Sequence, residues 1–256
     1  MTKTPLLCLL GLAISLSMSA APYDHIHLAA PDSAEAAQWY IKHFGGRPTG
    51  FRGAVGPDVP IDRVYYGDIA VIFSKREPGE GSVGSGVDHI GFSLPNVAEL
   101  VAAVVADGGA KLGELREFQG MTLGFVVDPW GTKIEIIDDP ALRGVHHIHL
   151  SSADPEAALN WYANVFGGTR DKFANTLPAV NYGNVWLLAR KSDEAIAPTQ
   201  GRSLDHLGWN VPNLDAAATE LRGKDVKFSL EPRDFRGIRI SMVVGPDNVR
   251  IEVLQP

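Results

Sequence analysis

The sequence holds eight histidines, and four of them occupy one place in a repeated motif: Asp24-His25-Ile26-His27-Leu28, Asp88-His89-Ile90-Gly91-Phe92, His146-His147-Ile148-His149-Leu150 and Asp205-His206-Leu207-Gly208-Trp209. Two later segments close on glutamate, Gly131-Thr132-Lys133-Ile134-Glu135 and Asn248-Val249-Arg250-Ile251-Glu252. For so rare a residue, return at one offset in four successive repeats has chance odds on the order of one in ten thousand or less. Neutral imidazole nitrogens and ionised carboxylates converging from separate strands are what a divalent metal ion requires. The pattern predicts metal chemistry, twice over in one chain.

Neighbouring residues extend that chemistry. Residues of one parity share a face of a strand, so His27 stands beside His25 and His149 beside His147. These two are candidates for a general acid or base, an additional ligand, or a donor that fixes a ligand carboxylate; the alternative is a histidine hydrogen-bonded in place. His146 has the opposite parity and is expected to be structural, and His43, at the end of a helix, is expected to be solvated where its charge suits the dipole. Arg116 and Arg233 stand at matching places in the second and fourth repeats and are candidates to clamp a substrate carboxylate or phenolate, with surface charge as the alternative. Tyr65, Tyr66 and Tyr182 are candidate proton donors that could equally be packing groups.

The elements that must position these residues follow from hydrophobic period. Each repeat begins with an alternating apolar segment, continues into an Ala-rich stretch of helical spacing, and ends in two or three further alternating segments. Asp32 caps a predicted helix from Ser33 to Phe44 stopped by Gly45-Gly46, and Asp154 caps one from Pro155 to Phe166 stopped by Gly167-Gly168. Asn96 and Asn213 are the corresponding predicted caps in the second and fourth repeats. The spacing from His89 to His206 equals that from Glu135 to Glu252, whereas His25 to His147 is about five residues longer, which places extra residues in the Gly- and Pro-rich loop between 47 and 62. The architecture is four βαβββ units in two domains, with links at 79–86, 192–202 and 138–144.

Net charge of −7 and a pI near 5.6, with the charges scattered, argue against nucleic acid or an anionic membrane surface as the main partner and favour a small molecule. Lys3, an apolar run from Pro5 to Met18 and Ser19-Ala20-Ala21 match a secretory signal peptide over 1–20, so a periplasmic or secreted protein without stable membrane insertion is expected. Cys8 is the single cysteine and falls inside that segment, leaving the mature chain without thiolate ligands.

The paired modules, the first-strand histidines and the ending Asp128-Pro129-Trp130-Gly131-Thr132-Lys133-Ile134-Glu135 resemble the vicinal oxygen chelate superfamily. That superfamily includes glyoxalase I, extradiol ring-cleaving dioxygenases, fosfomycin-resistance enzymes, methylmalonyl-CoA epimerase and the bleomycin-binding resistance proteins. The resemblance implies an α+β fold with two tandem domains, 22–139 and 144–256, each of two βαβββ modules forming a curled sheet around a metal cavity. It assigns the metal ligands to His25, His89 and Glu135 in the first half and to His147, His206 and Glu252 in the second. Two imidazoles and a carboxylate form a facial triad that favours Fe(II), with Mn(II) or Zn(II) as alternatives. Modules in this family can be exchanged between chains, so a homodimer is an open arrangement.

Two departures narrow the activity. Glyoxalase I carries a further glutamate near the end of its first module, where this chain has Ala70-Val71-Ile72-Phe73-Ser74 and Val185-Trp186-Leu187-Leu188-Ala189. Extradiol enzymes carry a His and a Tyr upstream of the closing motif, where this chain has Phe125 and Met242 and no such histidine. The resemblance therefore leaves three readings. The first is dioxygenase-like chemistry on a small oxygen-chelating substrate. The second is a redox-neutral Lewis-acid isomerase, epimerase or lyase with His27 or His149 as base. The third is a non-catalytic binding or resistance protein.

Overall fold

The computed structural model describes residues 21–256, so the signal peptide expected over 1–20 lies outside the described residues. The first module consists of β1 (Tyr23–Ala30), α1 (Ser33–Phe44), β2 (Arg47–Thr49), β3 (Arg63–Tyr66) and β4 (Ile69–Lys75). The second has β5 (Val87–Ser93), α2 (Val97–Ala106), β6 (Ala110–Phe118), β7 (Met121–Val127) and β8 (Lys133–Ile137). The third has β9 (Gly144–Ser152), α3 (Pro155–Phe166), β10 (Thr169–Phe173), β11 (Leu177–Asn181) and β12 (Trp186–Lys191). The fourth has β13 (Leu204–Asn210), α4 (Leu214–Gly223), β14 (Lys227–Phe235), β15 (Ile238–Val244) and β16 (Arg250–Gln255). No helix among the described residues is long and apolar enough to cross a membrane.

Helix ends follow local chemistry. The Asp32 carboxylate accepts from the amides of Ala34 and Glu35, Asp154 accepts from Ala157, and Asn213 accepts from Ala216. Gly45 and Gly167 take positive φ, 71° and 77°, where a β-carbon would be strained, and α1 and α3 stop there. Asn96 departs from expectation: its backbone is left-handed, φ 60°, its side chain makes no capping bond, and α2 starts without one.

Among the described residues sixteen strands form two eight-stranded sheets, ordered β14-β15-β16-β13-β1-β4-β3-β2 and β10-β11-β12-β9-β5-β8-β7-β6. The first sheet joins modules one and four, and the second joins modules two and three. The tandem halves 22–139 and 144–256 are thus repeats in sequence but not the units of sheet formation. Each sheet is completed by modules of the same chain, through antiparallel pairing of first strands, β1 with β13 and β5 with β9.

The reason lies on the face turned away from the histidines. Ile26, Leu28, Ile90, Phe92, Ile148, Leu150, Leu207 and Trp209, the alternate residues of the four first strands, are all buried in one core. Phe44 of α1 stacks on Phe92 of β5 at 4.4 Å between ring centroids, and Phe166 of α3 stacks on Trp209 of β13 at 4.4 Å. Consecutive modules therefore meet back to back through apolar packing, at roughly 1.5–3 kcal/mol for each large side chain buried. Their open sheet edges are left to pair across the halves.

The extra residues of the first module lie where the spacing places them. Between β2 and β3 the chain runs through a short helical turn (Phe51–Gly53) and on to residue 62, whereas β10 and β11 are joined by the three residues Ala174–Thr176.

Candidate metal centres

Cross-pairing regroups the candidate ligands. Among the described residues two clusters each bring four donor atoms within 4.8 Å of one another: His25, His27, His206 and Glu252 in the first sheet, and His89, Glu135, His147 and His149 in the second. All six residues assigned by resemblance are present, but each set draws one histidine from one half and a His–Glu pair from the other. The sets by halves, His25 with His89 and Glu135 and His147 with His206 and Glu252, do not form, because β1 lies beside β13 and β9 beside β5.

In the first cluster the Glu252 Oε2 lies 3.0 Å from His206 Nε2 and 3.5 Å from His25 Nε2. In the second the Glu135 Oε2 lies 3.2 Å from His89 Nε2 and 3.6 Å from His147 Nε2, and the two Nε2 atoms face each other at 3.3 Å. Two glycines permit this approach. Gly208 sits opposite His25 and Gly91 opposite His147, and a β-carbon at either would run into the imidazole ring. First strands with His-x-His therefore pair with first strands carrying His-x-Gly.

Each inner histidine is aimed by the residue before it. His89 Nδ1 donates to Asp88 Oδ1 at 2.6 Å, His206 Nδ1 donates to Asp205 Oδ1 at 2.6 Å, and His25 Nδ1 lies 3.5 Å from Asp24 Oδ2. Asp88 is held in turn by Lys133 and Arg190, and Asp205 by Arg250 and Arg76. His146 replaces the aspartate in the third module. Its Nδ1 lies 2.8 Å from His147 Nδ1, and its Nε2 lies 3.2 Å from Asp139 Oδ2. If His147 Nδ1–H donates to His146, and His146 Nε2–H donates to Asp139, all four inner histidines keep the Nε2 lone pair for the cluster.

The charge pattern fits a cation. Burial alone would raise Glu135 and Glu252, but the imidazoles beside them outweigh it and hold both carboxyls well below their usual range. Burial opposes a charge on His25, yet the nearby carboxylates of Asp24 and Glu252 carry it up to about 9. Burial and the neighbouring histidines keep His27 and His149 neutral, well below the ordinary imidazole value. His25 Nε2, His27 Nδ1 and His149 Nδ1 are buried without hydrogen-bond partners. Orphaned imidazole nitrogens around a depressed carboxylate are costly unless they share an ion.

The surroundings of the two clusters differ. A cavity of about 690 Å³ opens on the first, lined by His25, His27 and Glu252 together with Phe51, Tyr65 and Arg236. A second cavity, of about 420 Å³, lies at the edge of the other sheet, is lined by Phe173 and Trp186 among others, and touches none of the four cluster residues.

Other candidate residues take varied places. His27 is in the first cavity, its Nε2 2.8 Å from Ser74 Oγ, and His149 is in the second cluster. Arg116 and Arg233 are exposed on β6 and β14 and line neither cavity; the guanidiniums at the first cavity belong to Arg52, Arg63 and Arg236. Tyr65 lines the first cavity, whereas the Tyr66 and Tyr182 hydroxyls donate to the carbonyls of Tyr40 and Tyr162. His43 is buried, not solvated, bonded at 2.8 Å to Asp107 and packed on Trp39. The residues missed were Asp24, Asp88, Asp205, Gly91 and Gly208. Their signal was already present as Asp-His and His-x-Gly in the motif.

Paired βαβββ modules that deliver imidazoles and a carboxylate to buried centres define a class of metal-site α+β proteins. This chain belongs to the Glyoxalase/Bleomycin resistance protein/Dioxygenase superfamily, whose sequence profile matches residues 23–136 and 144–253. It is 29% identical over 110 residues to a probable chloroplastic lactoylglutathione lyase of Arabidopsis thaliana, a match spanning 40% of this chain and 31% of that protein. Glyoxalase I from Zea mays superposes with a TM-score of 0.71 at 16% identity, covering 92% of each chain. A putative dioxygenase from Bacillus subtilis gives 0.63 at 15% identity, covering 93% of this chain and 86% of that one. At these identities the structural likeness establishes the fold alone.

Proposed function

We propose that the protein is a divalent-metal-dependent enzyme acting on a small substrate with neighbouring oxygen atoms, and that its reaction centre is the first cluster, with His25, His206 and Glu252 as ligands. The observation that carries this reading is the opening of that cluster onto a cavity large enough for a small molecule, whereas the second cavity touches no residue of the other cluster. A catalytic metal site keeps a position open for substrate. A bound ion would place positive charge against the substrate oxygens and, as Fe(II), would supply one-electron chemistry with dioxygen. Phe51 and Tyr65 offer flat apolar surface, Arg236 offers a planar donor pair, and His27, held neutral by burial and steadied by Ser74, lines the same cavity.

Dioxygenase-like chemistry is the favoured reaction, supported by the two-histidine, one-carboxylate set. The redox-neutral reading has its own support. Met242 lies opposite Glu252 where a phenol donor would be needed, and His27 is the candidate base within the cavity. The test is oxygen uptake by anaerobically purified protein loaded with Fe(II), Mn(II) or Zn(II), against catechols and other vicinal-oxygen compounds, with His25→Ala as control. Uptake matched to substrate consumed is the expected result. Turnover without uptake would transfer the proposal to the isomerase or lyase class, and metal-independent ligand binding without turnover would leave a binding protein. Export belongs to the proposal through the pattern Lys3, Pro5–Met18 and Ser19-Ala20-Ala21. Amino-terminal sequencing of the protein from the extracytoplasmic fraction should begin near Ala21.

A further inference from the structure

We propose that the second cluster, His89, Glu135, His147 and His149, is a closed four-ligand metal site that fastens modules two and three together and takes no substrate. The inference rests on the reading of both clusters as metal centres. It assigns them different work.

Space is the first argument. The residue paired with His25 on β4 is Ala70, and the residue paired with His147 on β12 is Trp186. The residue opposite Glu252 is Met242, and that opposite Glu135 is Phe125, whose ring lies 5.3 Å from His89. Phe173, at the end of the tight β10–β11 hairpin, is buried against Trp186 and Phe118, at 5.7 and 6.1 Å between centroids. Leu123, Ile137, Ala179 and Leu188 complete this apolar cluster over the second triad. The side chains that face Glu135 and His147 are thus large and aromatic where those that face Glu252 and His25 are Met242 and Ala70.

The second argument is the fourth donor. In the first site Ser74 engages His27 Nε2. Arg190 holds the equivalent place on β12 and turns instead to Asp88, at 2.7 Å; Nδ1 is buried without a partner in both His27 and His149, and the two differ at Nε2, which has a protein partner in His27 and none in His149. His149 thus has both nitrogens free to complete a set of three imidazoles and a carboxylate, whereas His27 has one nitrogen already bonded to Ser74. Structural sites are closed in this way, with every position filled by protein. Two of the four donors come from module two and two from module three, so the ion would crosslink β5 and β8 to β9. The Asp139–His146–His147 chain fixes the ring that crosses the seam.

The test uses the mature protein loaded with Co(II), whose visible absorption reports coordination, and 4-nitrocatechol as a vicinal-oxygen probe. A chain keeping only the second site, made as His25→Ala or, should that misfold, Glu252→Gln, should hold one Co(II) with the intense bands of a four-coordinate ion. Those bands should not move when 4-nitrocatechol is added, and removing the ion with a chelator should lower the thermal midpoint by several degrees. A chain keeping only the first site, made as His147→Ala or Glu135→Gln, should respond to the probe. Trp186→Ala in the second-site chain should restore the response. Movement of the second-site bands in a chain with Trp186 intact would overturn the proposal, as would failure of that site to hold Co(II) while the first site does. Absence of Co(II) from both sites would instead overturn the reading of the protein as a metalloenzyme.

Discussion

The two clusters share their inner chemistry and differ in everything around it. Both have a His–Glu pair from one module, a histidine from another lying over a glycine, and a second histidine two residues on. Yet one faces a cavity and the other an apolar plug. The deciding positions, Ala70 against Trp186, Met242 against Phe125 and a long loop against a tight hairpin, all lie outside the repeated motif. The motif therefore states where a metal can bind. Whether anything else can reach it is written on the neighbouring strands.

Matched substitutions give the sharpest contrast. Replacing His25 or His206 by Ala should lower kcat/KM on the order of 10³-fold or more, because a metal at the reacting oxygens supplies several kcal/mol to the transition state. Replacing His89 or His147 by Ala should leave kcat/KM of the folded fraction within about ten-fold, since those residues touch no substrate. Equal losses on both sides, measured at the same metal loading, would break the comparison. Ala70→Trp copies the second site's plug into the first and should cost about 100-fold or more in kcat/KM by displacing substrate, with metal content by elemental mass spectrometry unchanged. Retained activity in that variant would show that the cavity is not the route to the metal.

Much of this was legible in the sequence because the signals are local. Asp32 and Asp154 name their helices, Gly45 and Gly167 end them, the period of the His and Glu positions picks out six of the eight cluster residues, and strand parity sets His27 and His149 beside them. The grouping was not legible. Ile26, Ile90, Ile148 and Leu207 present nearly the same apolar face, so each first strand could pair with any complementary one. The choice is made by tertiary packing of Phe44 on Phe92 and Phe166 on Trp209. Arg116 and Arg233 failed as cavity residues for a similar reason. They lie on edge strands β6 and β14, whereas the cavity wall is set by the first module's extra loop, which carries Arg52.

The closing motifs offer a smaller contrast. Asp128 and Gly245 hold equivalent turns, with the Asp128 amide donating to the Thr132 carbonyl at 2.9 Å and the Gly245 amide to that of Val249 at 2.8 Å. Burial pushes Asp128 up to about 6, against bonds from Thr132, Tyr40 and Trp130 that favour its charge. A carboxyl whose folded value exceeds its unfolded one binds protons more tightly when folded. Its contribution to stability is present below about pH 4, falls as pH rises through about 6, and is flat beyond. Asp128→Asn should remove a decline of up to about 3 kcal/mol from the profile between pH 4 and 6, measured by denaturant unfolding. A difference profile that is flat across that window would mean that the folded Asp128 titrates as it does in the unfolded chain.

The same turns leave two tyrosines in unequal positions, and they give the smallest effect. Tyr40 donates from its hydroxyl to Asp128 Oδ2 at 2.8 Å, whereas Tyr162, its counterpart on α3, faces Gly245 and has a buried hydroxyl with no partner. Tyr40→Phe removes a bond to a buried carboxylate and should cost about 1.5–3 kcal/mol at neutral pH. Tyr162→Phe deletes only an unsatisfied polar atom and should be neutral or stabilising by up to about 1 kcal/mol. At low pH, where Asp128 is protonated, the Tyr40→Phe penalty should shrink toward that of an ordinary neutral hydrogen bond, and the Tyr162→Phe effect should not change. Equal penalties for the two tyrosines, or a Tyr162→Phe effect that varies with pH, would mean that Tyr162 has a bonding partner of its own and that the two closing turns are more alike than their sequences suggest.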